Sequence, residues 1–441
     1  MENLEGFRKR CLKRPRPTRI ERRGGDAVTR WVLLLLLLAA FVGGIAGTAR
    51  AEEEISLEQS LEIFYRNNYD ILITRYEVDK AQADYVGARL RPNPVFSVNQ
   101  IGLDFHRPVP RQADESQLSI RIDQLFETAG KRELRSSAAL ANWEASKLSY
   151  KDNIRALLVG FFATYYNLQL GELNLDFSRY ELARFDRILD IAERRHNAGF
   201  LTLLDLSKIK LAKIDIENNQ TNFFGQFRKD IESFNFLLAR GEAAWKPFKL
   251  TPREAFPEFT EEALVERAYQ TRYDLAAAQK QIEAAKHSMA LAKALRTPDF
   301  IVGVEQDRFG MDNVVRYGGG IGVALPIFNR AQGEILRRSA EFNQAEEQIK
   351  KVRRQIVSDV RQSLVSYQSS VKVFETYRAR RQEMEDLLNK SEAAFSLGGI
   401  TVLDLLDTRR TYRDFITKYN QAFVQALLNQ ELLKIYTGEI R

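Results

Sequence analysis

Threonine and aspartate recur together at two places in the chain. Thr202 stands three residues before Asp205, and Thr401 stands three before Asp404, with a further carboxylate at Asp407. This spacing is typical of a helix start, where the hydroxyl accepts a backbone N–H and the carboxylate favours the positive end of the helix dipole. Capping explains Asp407 less well, because that residue lies a turn farther into the helix.

Residue patterns for catalysis are missing from the sequence. It contains no G-x-S-x-G, H-E-x-x-H or C-x-x-C pattern, and the glycines within 317–322 lack dinucleotide-binding spacing. His106, His196 and His287 are far apart in sequence, and an isolated histidine is usually structural or solvated. We therefore expect no enzyme activity, no cofactor and no permanent metal site.

An uncharged run at residues 31–47 follows an Arg-rich segment and precedes Ala49-Arg50-Ala51. This order is typical of a secretory signal with an A-x-A cleavage site, so we predict a signal peptide over residues 1–51. An uncleaved inner-membrane anchor is the alternative, because the run approaches the ~20 residues that span a bilayer.

Export would change the charge of the chain. Removing 11 of 66 basic and 4 of 59 acidic side chains leaves 55 of each, so the mature chain is neutral. The sequence therefore does not indicate a nucleic-acid partner. The only cysteine, Cys11, lies in the predicted signal, and a cysteine-free chain suits an oxidising envelope compartment.

The sequence repeats itself after roughly 200 residues. The segment 68–70 (Asn-Tyr-Asp) recurs at 272–274 (Arg-Tyr-Asp), and the segment 199–206 recurs at 398–405. Each repeat is predicted to contain a helix, a β-hairpin, a very long helix, a tight turn and a helix. The predicted boundaries are 52–246 for the first repeat, 247–260 for a linker and 261–441 for the second repeat.

Long stretches without proline predict the helices, since an interior proline breaks the backbone hydrogen bonding. A capping box at Ser56 and Gln59 opens a first helix that runs to about Leu90. The long helix covers roughly 133–197, or ~100 Å, and turns follow at about 198–202 and 397–401. Apolar residues recur every seven positions in the long helix, which is coiled-coil periodicity. They are Ile154, Phe161, Leu168, Leu175, Leu182 and Leu189.

Two hairpins, at about 95–126 and 299–328, show the alternation of β-strands. Apolar residues at 118, 120 and 122 alternate with polar ones, and those at 321, 323 and 325 alternate with Gly and Ala. Polar loops are predicted at 104–115 and 306–316. The pattern fits membrane-barrel strands, although half-buried strands of a soluble sheet alternate in the same way. A membrane barrel needs about eight strands, so four from one chain imply an oligomer.

The whole mature chain resembles the TolC family of outer-membrane efflux channels. Residues 126–132 (Phe-Glu-Thr-Ala-Gly-Lys-Arg) and 325–334 (Leu-Pro-Ile-Phe-Asn-Arg-Ala-Gln-Gly-Glu) are similar to motifs of its CzcC-like branch, which is associated with heavy-metal efflux. The resemblance implies a mainly α protein with membrane β. Three copies would form a twelve-stranded β-barrel in outer-membrane lipid, continued by an α-helical barrel through the periplasm.

The resemblance also implies a passive duct that works with a periplasmic adaptor and an inner-membrane RND-type pump. It places Asp404 and Asp407 at the periplasmic entrance, where three copies crowd six carboxylates and raise their pKa values. Ile400 replaces an Arg that helps close the entrance in some members. Without the barrel, a periplasmic coiled-coil or adaptor-like protein is the alternative. The residues implied at the hairpin tips and in adaptor docking are Gly199, Thr202, Leu204, Asp205, Leu206, Gly398, Thr401, Leu403 and Leu405.

Overall fold

Each of two successive segments of the chain has helices on either side of a β-hairpin. The computed structural model describes residues 53–102, 116–241, 245–247, 255–310 and 314–439. The predicted signal peptide and most of the first polar loop lie outside these ranges. The elements are β1 (Glu53–Ile55), α1 (Leu57–Asn67), α2 (Tyr69–Arg89), β2 (Val95–Ile101), β3 (Gln117–Phe126), α3 (Lys131–Asn197), α4 (Leu203–Leu237), β4 (Trp245–Pro247), α5 (Glu261–Thr271), α6 (Tyr273–Ala294), β5 (Phe300–Phe309), β6 (Val315–Val323), α7 (Gln332–Leu397) and α8 (Val402–Tyr436).

The first helix starts as predicted but does not continue unbroken to residue 90. Ser56 and Gln59 form the expected capping box. At Asn68 the backbone turns extended, with ψ of 126°. The Asn68 side chain accepts from the N–H groups of Asp70 and Ile71 and donates to the Leu237 carbonyl. It therefore ends α1 and caps α2, and the single long helix of our prediction was wrong.

The second repeat breaks its helix at the equivalent residue by other chemistry. Arg272 is buried, has ψ of 126°, and separates α5 from α6. Its guanidinium donates to both oxygens of Asp274 and, at 2.9 Å, to Asp359 of α7. The repeated motif at 68–70 and 272–274 thus marks a helix break in both repeats.

The 67-residue helix α3 places its heptad side chains in the protein interior. Phe161, Leu168 and Leu175 are buried, whereas Ile154, Leu182 and the last heptad residue are partly exposed. Phe161 packs 4.8 Å from the ring of Phe64 in the same hydrophobic cluster that holds Phe374 of α7. The core therefore joins the two repeats.

The two hairpins form one antiparallel sheet in the order β2-β3-β5-β6. Strand β3 pairs with β5 along its length, from Gln117 opposite Phe309 to Phe126 opposite Phe300. Strand β5 is longer than predicted and pairs with β6 as far as Arg308 opposite Val315. The polar loop predicted at 306–316 was therefore wrong in extent. Strands β2 and β6 are the edges of this sheet.

The turn after β3 ties the sheet to the helices. Thr128 donates from both its N–H and its hydroxyl to Asp299, which directly precedes β5. The Lys131 ammonium donates to Asp299 at 2.7 Å and to the carbonyl of Thr297. Although burial opposes ionisation of Asp299, these donors lower the pKa of its carboxyl. The motif at 126–132 thus has a structural role at the sheet-to-helix junction.

None of the described helices combines the length and apolar composition required of a membrane span.

Candidate functional site

The two helical hairpins end in tight turns, called here the first tip (199–206) and the second tip (398–405). Gly199 and Gly398 have φ of 80° and 82°, a left-handed conformation that a side chain disfavours. Each closes its long helix in the same way. Phe200 N–H donates to the Arg195 carbonyl, and Gly399 N–H donates to the Ala394 carbonyl, both at 2.8 Å. These bonds satisfy carbonyls at the helix end.

Threonine hydroxyls cap the returning helices at both tips. Thr202 Oγ1 accepts from the N–H of Asp205 at 3.1 Å and donates to its carboxylate. Thr401 does the same for Asp404, whose carboxylate also accepts from Thr401 N–H at 3.2 Å. The second tip therefore has the Thr401 cap that its sequence predicts, within a complete capping box.

These hydrogen bonds change the acidity of the two capping carboxylates. Donation from the Thr401 hydroxyl, and then from its N–H, lowers the pKa of Asp404. Donation from Thr202 and Lys208 lowers the pKa of Asp205. Capping within one chain thus opposes the increase in carboxylate pKa that is expected from crowding in three copies. Asp407 is exposed, and no described side chain pairs with it.

The tips combine an apolar interior with an apolar outer surface. Leu206 and Leu405 are buried in a cluster that includes Phe185 of α3 and Phe395 of α7. These two leucines support the turns from within. Large apolar side chains on the outside of the tips, and at the helix end directly before the second tip, are exposed to solvent. They are Phe200, Leu203, Leu204, Leu397 and Leu403.

One arginine links the two tips. Arg195, near the end of α3, donates to the Phe395 carbonyl and lies 5.0 Å above the Phe395 ring. A Cβ placed on Gly398 would be 3.2 Å from an Arg195 nitrogen, so glycine leaves room for this contact. No sequence pattern predicted this contact, although Arg195 and Phe395 lie close to Gly199 and Gly398.

A buried network of charges joins α3, α7 and α8 a few turns above the tips. Arg409 donates to Glu181 at 3.0 Å and to Glu392. Arg184 donates through Nε to both oxygens of Glu392 at 2.9 Å and through Nη2 to Asn389. The side chains of Glu181 and Arg409 are each only 3% exposed. Two arginines and two glutamates balance, so the network is neutral.

Sequence patterns did not predict this network either. The available sequence signal was a charged residue next to a heptad position, since Glu181 directly precedes Leu182. Burial lowers the pKa of Arg184, whereas the Glu392 carboxylate raises it. The net effect is a raised pKa. Burial raises the pKa of the neighbouring Tyr412 to about 12.

None of the described histidines belongs to a cluster of metal-ligating side chains. His196 Nδ1 lies 2.8 Å from the Leu201 carbonyl within the first tip, while His287 is on α6, and His106 falls outside the described residues. Across the described ranges, no three metal-ligating side chains are arranged to hold an ion.

An amphipathic sheet with open edges, continuous with helices of ~100 Å, defines a subunit of a membrane channel. Residues 61–226 and 264–439 match the model of the outer membrane efflux protein family, and the chain belongs to that family. It is an efflux channel of the outer membrane that extends into the periplasm, and not an enzyme.

Relatives resemble it over most of their length. Outer membrane protein TolC of Vibrio cholerae is 24% identical over 407 residues, covering 86% of this chain and 89% of the relative. The pyoverdine export outer membrane protein OpmQ of Pseudomonas putida is 24% identical over 389 residues, covering 80% of each chain. The cobalt-zinc-cadmium resistance protein CzcC of Cupriavidus metallidurans is 20% identical over 365 residues, covering 81% of this chain and 84% of the relative.

The solved structure of CusC has the same fold. Its TM-score is 0.73 at 15% identity, with 86% of this chain and 91% of that chain covered.

Proposed function

We propose that three copies of this chain form the exit duct of a tripartite efflux system, fed by a periplasmic adaptor and an RND-type inner-membrane pump. The observation that carries the proposal is the sheet, which among the described residues has two unpaired edges and one exposed, mostly apolar face. Three such sheets supply twelve strands, enough to close a barrel and satisfy every edge in lipid. Native mass spectrometry of the detergent-extracted protein tests the copy number, and a monomer would contradict it.

The periplasmic entrance is formed by the second tips, with Asp404 and Asp407 around the aperture. The two carboxylates differ in their local bonds. Asp404 is held by Thr401, whereas Asp407 is exposed and has no described partner. A cation that relieves carboxylate crowding therefore gains more from Asp407, because its oxygens are free to turn towards the ion.

Single-channel recording separates the two roles. We expect Asp407→Ala to remove most of the block by divalent or trivalent cations, and Asp404→Ala to remove less while loosening the start of α8. The matched control is Asp205→Ala, which takes the equivalent cap from the first tip. A double Asp404→Ala and Asp407→Ala variant that is blocked like the wild type would refute the entrance assignment.

The adaptor docks on the outer surface of both tips. The exposed Leu204 and Leu403 occupy equivalent positions and present apolar surface next to the capping residues. Leu206 and Leu405 act from inside the tip by fixing the turns. We expect Leu204→Asp and Leu403→Asp to reduce cross-linking to the adaptor. Leu336→Asp, an exposed leucine near the start of α7, is the control that leaves cross-linking unchanged.

The cargo we propose is heavy-metal cations. The relative named for cobalt-zinc-cadmium resistance and the motifs at 126–132 and 325–334 support this class. The relative named for pyoverdine export supports an organic cargo instead. The structural role of the motif at 126–132 weakens its value as a mark of substrate.

A deletion strain decides between the two classes of cargo. Growth is compared on zinc, cobalt, cadmium, nickel, copper and silver salts and on dyes, detergents and antibiotics. Selective metal sensitivity, restored by the wild-type gene, is the expected result. Sensitivity confined to organic compounds would keep the duct and overturn the metal cargo.

A further inference from the structure

The two faces of the β2-β3-β5-β6 sheet differ in chemistry. One face is exposed and mostly apolar, with Phe96, Ile122, Val304 and Ile321 among its side chains. Its described charged side chain is Arg308, near the loop end of β5. In a barrel within lipid this face turns outwards, so the opposite face lines the lumen. The lumen face of the described strands carries five charged side chains. They are Arg121, Asp123, Glu305, Asp307 and Arg316.

Three of these side chains form one cluster on the lumen face. Arg121 Nε donates to the two oxygens of Asp123 at 2.9 and 2.8 Å. Its Nη1 donates at 3.1 Å to Glu305, which lies directly opposite on β5. The side chains of Arg121, Asp123 and Glu305 remain 37%, 23% and 33% exposed, so the cluster faces the space beside the sheet.

Glycines on the neighbouring strands make room for this cluster. A Cβ on Gly303 would lie 2.3 Å from Asp123 Oδ1 and 2.7 Å from Arg121 Nη2. A Cβ on Gly318 would lie 2.9 Å from Glu305 Oε1. Neither glycine has a positive φ, so space and not backbone conformation requires them. The charged side chains therefore lie flat across the wall.

The cluster does not balance its own charge. Arg121 neutralises one of its two carboxylates, which leaves one negative charge per chain at this level. Nearer the loop end of the hairpin, Asp307 stands opposite Arg316, and these two charges cancel. The excess negative charge of the described lumen wall is thus confined to the level of the cluster.

We propose that the Arg121–Asp123–Glu305 cluster sets the ion selectivity of the barrel and makes its lumen prefer cations. The inference rests on the proposed channel function and deepens it. Three copies place three excess negative charges around one level of the pore. Because the Debye length is about 10 Å at 0.1 M salt, the field of such a ring reaches well into the lumen. Arg121 moderates the field and prevents a ring of six free carboxylates from retaining cations.

Reversal potentials in a KCl gradient across planar bilayers test the proposal. All variants carry Asp404→Ala and Asp407→Ala, so that the entrance carboxylates do not dominate the selectivity. We expect a potassium-to-chloride permeability ratio above 1 in this background. Glu305→Gln should lower the ratio towards 1, and Arg121→Gln should raise it. Ser119→Ala, on the same face without a charge change, should leave the ratio unaltered.

Opposite shifts from the two variants would not arise from general disruption of the barrel. The shifts should also shrink near 1 M salt, where the Debye length is about 3 Å. Pores that conduct with the same ratio in all variants would overturn the cluster proposal and leave the channel intact. If neither the wild type nor the protein with Asp404→Ala and Asp407→Ala formed a pore, the proposed channel function would be overturned instead.

Discussion

Replacing Arg409 by Met removes the cation that the buried Glu181 and the partly buried Glu392 share. Glu181 then has no described partner at 3% side-chain exposure, while Glu392 keeps Arg184. Breaking a buried pair in this way costs about 3–5 kcal/mol, because a charge remains buried without compensation. The cost falls on the contact of α8 with α3, since Arg409 belongs to α8 and Glu181 to α3.

Hydrogen–deuterium exchange of the assembled protein measures this effect locally. A loss of 3–5 kcal/mol corresponds to roughly 140- to 3700-fold faster exchange through local opening, at tenfold per 1.4 kcal/mol. We expect it in amides of 185–192 and 402–412. The control is Arg380→Met, which removes an exposed pair with Glu383, and its cost should be about 0–1 kcal/mol.

A rescue variant tests whether the unpaired Glu181 charge causes the loss of stability. Glu181→Leu added to Arg409→Met removes the stranded charge and should restore most of the protection, because apolar replacement of a buried pair is often neutral. Unchanged exchange in Arg409→Met, or an equal change in Arg380→Met, would refute the view that the network stabilises the bundle.

Three further outcomes follow from the core, the tips and the sheet junction. Phe161→Ala should destabilise the bundle by about 3–5 kcal/mol, because its ring is fully buried, and chemical denaturation followed by circular dichroism measures it. Gly398→Ala should cost about 1–2 kcal/mol by the same assay, because φ is 82° and Arg195 occupies the adjoining space. Asp299 has a lowered pKa, so its stabilising effect is present above the usual value near 3.8 and is lost as the pH falls through the lower folded value. Lys131→Met should reduce that acid-dependent loss, and melting temperatures between pH 2 and 6 would show it.

Local patterns in the sequence predicted much of the architecture. Heptad spacing predicted the burial of Phe161 and Leu168, and Thr401 with Asp404 predicted the helix start at the second tip. These features depend on residues within one or two turns of each other, which sequence periodicity reports directly.

Features that depend on distant partners were not predictable. Glu181 and Arg409 are 228 positions apart, and neither suggests a buried pair without the other. The helix break at Asn68 includes a bond to the carbonyl of Leu237, which belongs to α4. Strand β5 was predicted too short because its polar outer end reads as a loop, whereas Asp307 accepts from Gln117 on the neighbouring strand.

The open edges of the sheet have a consequence for biogenesis. A newly exported chain that folded this sheet in water would carry unpaired backbone groups along β2 and β6 and expose apolar rings such as Phe96. Such a surface invites adventitious strand pairing and aggregation during transit. The sheet is therefore expected to form together with membrane insertion and association. The yield of intact channels should then depend steeply on the supply of fresh chains, which ties production of the channel to the rate of its export.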